Sequence, residues 1–231
     1  MTGILLVDKP AEWTSMDVCA HLRGVLHEKH IGHTGTLDPN ATGLLVVLVG
    51  KATKLSKYLE ADQKEYRAVL RTGLRTDTQD IWGTVLEENA AVVSQSEMEK
   101  VLPVFRGDIL QIPPMYSAIK IRGQKLYQVA RRGKEIEREP RPITIYNLQL
   151  LSGSGRDWSL AVECSKGTYI RTLCADIGDA LGCGAAMAAL RRVRAGRFTL
   201  GQAHTLEQIR RNPEMYLLPA EELVEEFNDR K

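Results

Sequence analysis

Motifs for binding metals, nucleotides and cofactors are scarce in this chain. There is no phosphate-binding G-x-x-x-x-G-K-[ST] loop, no dinucleotide-binding G-x-G-x-x-G and no G-x-S-x-G elbow. The four cysteines form no C-x-x-C pair, which predicts free thiols in a reducing cytoplasm rather than a disulfide framework. They are Cys19, Cys164, Cys174 and Cys183. We therefore expect no cofactor.

Long apolar runs are also missing. The longest, Leu44–Val49, is far too short to span a bilayer. The N-terminus, MTGILLVDKP, has neither a basic region nor a small-residue cleavage site, so we expect no signal or transit peptide. With 43 % hydrophobic and 26 % charged residues, the composition is that of a soluble globular protein. We expect a cytoplasmic protein without membrane contact.

The net charge of +2 is small but unevenly distributed. Residues 214–231 hold six acids and two bases, so residues 1–213 carry +6. Residues 119–142 hold eight Lys/Arg against three Glu. Clustered basic charge is typical of a polyanion-binding surface, although a merely solvated face has the same pattern.

Three histidines, His27, His30 and His33, invite a zinc interpretation. His27 and His30 can share a helix face, but Gly32 would end a helix before His33. No nearby cysteine or carboxylate completes a ligand set, so we expect no metal. His33 is better interpreted as a ligand contact or as an ordinary loop histidine.

The pattern of apolar residues predicts a mixture of strands and helices without strict alternation. This favours an α+β fold with a mixed or mainly antiparallel sheet. Predicted strands are Ile4–Val7, Leu44–Val49, the segment around Tyr66, Ile143–Leu151 and Trp158–Cys164; predicted helices begin at Thr14, Lys54, Ser96, Leu126 and Thr168. Residues 108–142, rich in Pro and basic charge, look like an inserted arm.

The loop GHTGTLDPNATGLL, residues 32–45, carries the first candidate catalytic residue. Pro39 fixes its own φ and keeps Asp38 out of the helical region. A carboxylate on a stiff loop before a buried strand can be held in one orientation. The alternative is a turn aspartate that bonds its own backbone.

Two further residues have a functional and a structural interpretation. Tyr66 is either a core aromatic on a strand or a ring that stacks on an extracted base. Arg171 falls in the first turn of a predicted helix, where the helix dipole disfavours a cation. A buried acidic partner would compensate for that placement; the alternative is an exposed arginine.

Six segments carry a resemblance to the TruB family of pseudouridine synthases. In order, they are DKPAEWTSMDV (8–18), GHTGTLDPNATGLL (32–45), KEYRAVLRTG (64–73), QIPPMYSAIKIRGQKLYQVARRG (111–133), CSKGTYIRTL (164–173) and GCGAAMAALRRVRAG (182–196). The match covers nearly the whole chain. The resemblance implies the pseudouridine synthase fold, a bent mixed sheet with a central catalytic cleft.

The resemblance also implies roles. Asp38 matches the catalytic aspartate, Tyr66 the tyrosine that stacks on the target uracil, and Arg171 the arginine that pairs with the aspartate. His33 matches a contact to the T loop of tRNA, Lys9 and Pro10 the first family motif, and Leu190 a pocket-lining residue. Residues 108–142 resemble a mobile insertion that closes over RNA, and there we assign substrate contacts to Arg131, Arg132 and Lys134.

The implied function is conversion of uridine to pseudouridine at position 55, in the T loop of tRNA. We expect a monomer that needs no protein partner. The catalytic domain is expected to span 1–213, with 214–231 an acidic segment rather than a complete C-terminal RNA-binding domain. Glu12 stands where the family usually has glycine, so the turn there is a departure.

Two rival functions stay open. One is a guide-dependent homologue that acts with partner proteins, against which the lack of long basic tails argues. The other is an RNA-folding chaperone that needs no chemistry.

Overall fold

The computed structural model describes residues 1–59, 63–121 and 123–220. The chain divides into two compact units. Unit 1 comprises the described parts of 1–66 and 190–231, and unit 2 comprises those of 67–189. None of the helices within the described ranges is long and apolar enough to cross a bilayer.

The regular elements alternate irregularly along the chain. The strands are β1 Gly3–Lys9, β2 Ile31–Thr34, β3 Thr42–Val49, β4 Gln63–Thr72, β5 Leu74–Thr76, β6 Val85–Glu88, β7 Gly107–Gln111, β8 Lys120–Ile121, β9 Gln124–Lys125, β10 Arg141–Ser154, β11 Asp157–Ser165, β12 Ala185–Ala195 and β13 Phe198–Thr199. The helices are α1 Ser15–Leu26, α2 Ser56–Leu59, α3 Gln95–Val101, α4 Leu126–Ala130, α5 Ile170–Ala180 and α6 Leu206–Arg211. Short 3-10 turns are Gly50–Leu55, Leu102–Phe105, Leu200–Gln202 and Glu214–Tyr216.

In unit 1, β3 is the central strand. It pairs antiparallel with β1 from Gly3↔Val49 to Lys9↔Gly43. It also pairs antiparallel with β2, and parallel with β12 through Arg191↔Thr42 and Arg192↔Gly43. The mixed sheet and the buried strand predicted at Leu44–Val49 are therefore confirmed.

One core of unit 1 lies on alternate positions of β1 and β3. It contains Ile4, Leu6, Leu44, Val46, Leu48, Ala52, Leu59, Ala195, Phe198 and Ala220. The intervening residues of both strands are buried as well, so the two faces of this sheet are both covered. This explains why β3 has a continuous apolar sequence rather than an alternating one.

Helix α1 begins at Ser15, with Thr14, the predicted start, as its N-cap. The Thr14 side chain accepts from the Asp17 amide, and the Asp17 carboxylate accepts from the Thr14 amide. This reciprocal capping box satisfies donors that the first turn leaves unpaired. The helix ends at Leu26, with His27 in a left-handed conformation, so His27 and His30 do not share a helix face.

In unit 2, the strands follow the order β4-β11-β10-β7. β10 pairs antiparallel with β11 along most of its length and with β7 near its start. The core includes Ala68, Leu70, Ile143, Ile145, Leu148, Leu160, Val162, Leu173 and Ile177. The strand predicted around Tyr66 is confirmed as β4, in which Tyr66, Ala68 and Leu70 are buried and Arg67 is exposed.

Several predicted boundaries are wrong. Residues 31–34 form β2 rather than loop, because the far half of β3 offers them an edge. The helix predicted at Ser96 begins at Gln95, with Ser94 and Glu97 as the capping box. Helix α5 begins at Ile170, not at Thr168, whose hydroxyl donates to the Ser165 carbonyl instead. The helix predicted at Lys54 begins at Ser56, after a 3-10 turn. Glu60, where it is expected to end, lies outside the described residues.

The predicted arm, 108–142, shares its ends with the sheet. Strand β7 and the first residues of β10 form one antiparallel ladder. Between them, α4 buries Leu126 and Val129 in its own unit. Mobility of the segment and the limits of the catalytic domain remain predictions. Most of the acidic segment 214–231 lies outside the described residues, which end at 220.

Glu12 occupies a left-handed conformation, with φ 65°. Glycine adopts this region freely, whereas an L side chain there costs about 1–2 kcal/mol. Since Glu12 is exposed, Glu12→Gly should raise the free energy of unfolding by about 0.5–1 kcal/mol after the added flexibility of the unfolded chain is subtracted. Urea unfolding measures this. Glu12→Ala, which removes the charge but keeps Cβ, should give no gain; an equal gain would mean that charge, not backbone, is responsible.

Candidate active site

The loop that carries Asp38 is fixed immediately before this residue. The Leu37 amide donates to Ser15 Oγ at 2.9 Å, and Ser15 Oγ lies 3.2 Å from the Leu37 carbonyl, its acceptor. Both residues are buried. After Asp38 the chain turns, and the Asp38 carbonyl accepts from the Ala41 amide at 3.1 Å. The aspartate therefore stands on a turn whose approach is anchored to the start of α1.

Lys9 fixes the loop on the other side of Asp38. Its side chain is fully buried at the end of β1. Nζ donates to the carbonyls of Pro10, Trp13 and Pro39 at 2.8, 2.5 and 2.9 Å. Three acceptors use all three donors of the ammonium group. Pro10 itself is exposed and contributes its carbonyl to this arrangement.

Burial lowers the pKa of Lys9 to about 8, an effect that the charge of Asp38 opposes. At pH 7 the side chain is therefore still an ammonium ion. The attraction between Lys9 and Asp38 adds to the hydrogen bond that holds the neighbouring Pro39.

Arg192 connects the two ends of the same loop. It is buried on β12; Nε donates to the Leu44 carbonyl at 2.7 Å and Nη2 to the Gly35 carbonyl at 3.0 Å. A Cβ on Gly43 would lie 2.3 Å from the Arg192 carbonyl oxygen, and Gly43 has φ +97°. Only glycine therefore allows β3 to approach β12 this closely.

Two further candidate site residues of unit 1, Tyr66 and Leu190, lie on β4 and β12. Tyr66 and Lys64 are both buried and share one face of β4. A Cβ on Gly35 would lie 3.3 Å from Lys64 Cε and 3.4 Å from Arg192 Nη1. Leu190 and Arg192 share a face of β12 and are both buried. Tyr66 therefore shares a strand face with Lys64, and Leu190 shares one with Arg192. Lys64 and Arg192 both lie next to Gly35 in the Asp38 loop.

His33 lies on β2, opposite Val47, and not in the loop. Its Nδ1 is buried and has no hydrogen-bond partner among the described residues. Burial, and then the charge of Arg192, lower the pKa of His33. The ring is therefore neutral at pH 7 and keeps unused hydrogen-bonding capacity.

Arg171 belongs to unit 2 and is buried in the first turn of α5. Nη1 donates to the Thr78 carbonyl and Nη2 to the Tyr116 carbonyl, both at 3.0 Å. Asp80 Oδ2 lies 4.0 Å from Nη1. The alternative of an exposed arginine is thus wrong, and the unfavourable helix position is compensated by carbonyl and carboxylate oxygens.

The three basic residues assigned to RNA contact, Arg131, Arg132 and Lys134, are exposed just after α4. The Arg131 guanidinium carbon lies 5.4 Å from the centre of the Tyr127 ring, and Lys125 Nζ lies 5.7 Å from it. Exposed cations beside an aromatic ring are typical of nucleic-acid surfaces.

Within the described ranges, no three His, Cys, Asp or Glu side chains are grouped to hold a metal. His30 Nδ1 lies 3.4 Å from Glu28 Oε1. These two side chains are not part of a group of three candidate ligands among the described residues. All four cysteines are buried free thiols, as predicted.

Sequence reasoning missed Lys64, Arg192 and Ser15. Arg192 lies within the segment 182–196, and its burial is visible only in the structure. The single available signal was Gly43, whose need for a close backbone approach can be suspected from its position before an apolar strand.

Comparison with solved structures identifies the fold. The chain is similar to a chain of a Cbf5–Nop10–Gar1 complex (TM-score 0.74, 32 % identity), covering 93 % of this chain and 55 % of that one. It is also similar to a chain of an H/ACA ribonucleoprotein bound to a substrate RNA containing 2′-deoxyuridine (TM-score 0.72, 28 % identity), with coverage of 95 % and 59 %. The chain thus spans little more than half the length of these structural relatives. The architecture is the pseudouridine synthase fold predicted from the sequence.

Sequence comparison identifies the family within that class. Residues 23–170 match the N-terminal domain of TruB family pseudouridylate synthases, and residues 171–225 match a tRNA pseudouridylate synthase B C-terminal domain. Proteins named tRNA pseudouridine synthase B from Pseudomonas fluorescens and Stutzerimonas stutzeri are 52 % and 51 % identical. The matches cover 90 % and 91 % of this chain and 68 % and 69 % of those proteins. The chain belongs to the TruB family.

The lowered pKa of Lys9 has a measurable effect on stability. The pKa of Lys9 in the folded protein, about 8, lies below the ordinary lysine value of 10.5, so folding releases a proton between these pH values. Stability contributed by this group therefore rises with pH across that window. Urea unfolding of wild type and Lys9→Met at pH 7.5 and pH 10 should show the free-energy difference between them growing in favour of wild type. A difference that stays constant or shrinks would contradict the assignment.

Proposed function

We propose that this chain converts uridine to pseudouridine at position 55, in the T loop of tRNA, with Asp38 as the catalytic carboxylate. The observation that carries the proposal is the double fixation of the Asp38 loop by Ser15 and Lys9. A turn aspartate with only a local role needs no such bracing. The names of the relatives at 51–52 % identity support the substrate class.

The reaction breaks the N1–C1′ bond, turns the uracil and joins C5 to C1′; C5 then loses its proton and N1 gains one. Atoms and electrons balance within the substrate, so no external donor or redox partner is needed. Asp38 has three routes: attack on C6 of the base, attack on C1′, or abstraction of a ribose proton to give a glycal. Each requires an ionised carboxylate held at one position relative to the substrate.

Arg171 is proposed to pair with Asp38 during the reaction. A guanidinium keeps a desolvated carboxylate ionised. Its contacts with the Thr78 and Tyr116 carbonyls and its proximity to Asp80 support a guanidinium held in one orientation. Unlike an exposed arginine, it loses little side-chain freedom when it acts.

Base recognition is assigned to Tyr66, Leu190 and His33. The target uracil is inaccessible inside the folded T loop and must be extruded first. The Tyr66 ring would then stack on it, Leu190 would line the apolar side of the pocket, and neutral His33 would contact the loop near the extruded base. The unpartnered Nδ1 of His33 supports this last role.

The basic part of the predicted arm, residues 119–142, is proposed to bind the T arm through phosphate contacts and to close over it. We call this part the basic arm. Positive charge that RNA phosphates can reach is supplied by the exposed side chains of Arg131, Arg132 and Lys134. Shape and single-stranded loop contacts would provide the selectivity.

A guide-dependent activity is the second candidate, because the structural relatives include a chain of an H/ACA ribonucleoprotein. The higher identity to proteins named for tRNA favours the stand-alone reaction. We expect a cytoplasmic monomer that acts without protein partners. Activity of the isolated chain on bare tRNA would decide between the two candidates.

Replacement of Asp38 by asparagine separates chemistry from binding. Asp38→Asn keeps the shape of the side chain but removes the reactive oxygen, so it should abolish pseudouridine formation and leave RNA affinity within a few fold. Mass spectrometric mapping of pseudouridine in a T-arm RNA measures the first quantity, and filter binding the second.

Asp108→Asn is the matched control, since Asp108 accepts from Thr144 Oγ1 in unit 2 and has no proposed role in catalysis. It should retain full turnover. Appreciable turnover by a verified Asp38→Asn preparation would overturn the catalytic assignment. An inert wild-type chain with intact RNA binding would instead favour the chaperone.

The salt dependence of RNA affinity tests the basic arm. Each duplex phosphate neutralised should contribute about −0.9 to the slope of log affinity against log salt concentration. Replacing Arg131, Arg132 and Lys134 by alanine should therefore weaken binding and flatten the slope, by up to about 2.7 if each contacts one phosphate. The rate at saturating RNA should remain largely intact.

The control variant replaces Lys29, Lys51 and Lys54 by alanine. These exposed lysines lie in unit 1, and their loss changes the net charge by the same amount. The measurement is a plot of log affinity against log salt concentration for wild type, the arm variant and the control variant. The arm hypothesis would be contradicted if the plot for the arm variant coincided with that of wild type or with that of the control.

A further inference from the structure

Gln111 forms an unusual pair of hydrogen bonds in unit 2. It is the last residue of β7 and is only 2 % exposed. Oε1 accepts from the Tyr169 amide at 2.8 Å, and Nε2 donates to the Tyr169 carbonyl at 3.1 Å. One amide side chain thus satisfies both backbone groups of a single residue, as a neighbouring strand would.

The backbone of Tyr169 determines where α5 begins. It is the N-cap of the helix, and its own side chain forms no capping bond. Arg171 follows two residues later, in the first turn, where the helix dipole opposes its charge. A shift of the Tyr169 backbone would therefore move the start of the helix that carries the guanidinium.

A second contact joins the same two segments. The Arg171 Nη2 group donates to the Tyr116 carbonyl, five residues beyond Gln111. Thr172 Oγ1 also donates to Gln79 Oε1 at 2.7 Å, beside the Thr78 carbonyl that Nη1 contacts. Two contacts thus connect the beginning of the arm to the start of α5. One joins the Gln111 side chain to the Tyr169 backbone, and the other joins the Arg171 guanidinium to the Tyr116 carbonyl.

We propose that Gln111 is a positioning residue for Arg171. It fixes the N-terminus of α5 at the point where the arm leaves β7, so that the guanidinium is held in the orientation that the reaction needs. Its effect on catalysis rests on the function proposed above; its effect on α5 does not.

Gln111→Met preserves the length of the side chain but removes both hydrogen bonds. The rate of pseudouridine formation at saturating RNA should fall roughly 10- to 100-fold, the range expected for a misplacement of about 1 Å. The KM for RNA should change by less than about threefold, because Gln111 is buried and is assigned no role in binding substrate. Hydrogen exchange of backbone amides should become faster in residues 169–173.

Thr72→Val is the matched control. Thr72 is fully buried in the same unit, and its hydroxyl donates to the Arg156 carbonyl at 3.2 Å. This variant loses a buried side-chain-to-backbone hydrogen bond with no connection to α5. It should lower the Tm yet keep the wild-type rate and the wild-type exchange of residues 169–173.

Gln111→Glu serves if Gln111→Met fails to fold. A carboxylate still accepts from the Tyr169 amide but cannot donate to its carbonyl, so a smaller fall in rate is expected. A Gln111 variant that keeps the rate within twofold of wild type, or an equal loss in Thr72→Val, would overturn the inference. If wild type forms no pseudouridine, the proposed function fails, while unchanged exchange at 169–173 would by itself refute the positioning role.

Discussion

Three carbonyl oxygens, of Pro10, Trp13 and Pro39, surround the ammonium group of Lys9, and the geometry of unit 1 depends on this interaction. Removing an ammonium ion from water costs several kcal/mol unless every donor finds a partner. Here every donor does, and one acceptor is the residue that follows Asp38. The energetic requirement to satisfy a buried cation thereby becomes a constraint on the position of a carboxylate.

The same principle recurs around the loop, because Arg192 and Lys64 are buried next to Gly35. Buried positive charge is seldom the most stabilising choice, since apolar residues of similar volume often do as well. It does place fixed donors and positive potential around an acidic loop. The proposed use of Asp38 on an anionic polymer would benefit from both, which would give a functional reason for a structurally costly arrangement.

Local patterns in the sequence predicted the parts of the fold that local forces decide. The helix start at Thr14, the apolar strand Leu44–Val49 and the strand around Tyr66 all appear as expected. The strand β2 and the role of Arg192 were not predictable in this way. Both depend on partners that the fold supplies: the free edge of β3, and a carbonyl 148 residues away in the sequence.

Residues placed against local preference gave the most useful clues to the site. Arg171 opposes the dipole of its own helix, and the structure shows why it is tolerated there: two carbonyls and a nearby carboxylate offset the penalty. Glu12 is strained in the turn whose carbonyls help to bind Lys9. Because backbone strain persists only where surrounding contacts impose it, Glu12 indicates a turn whose position is fixed by the contacts around it. The placement of Arg171 is visible in the sequence, whereas the strain at Glu12 is visible only in the structure.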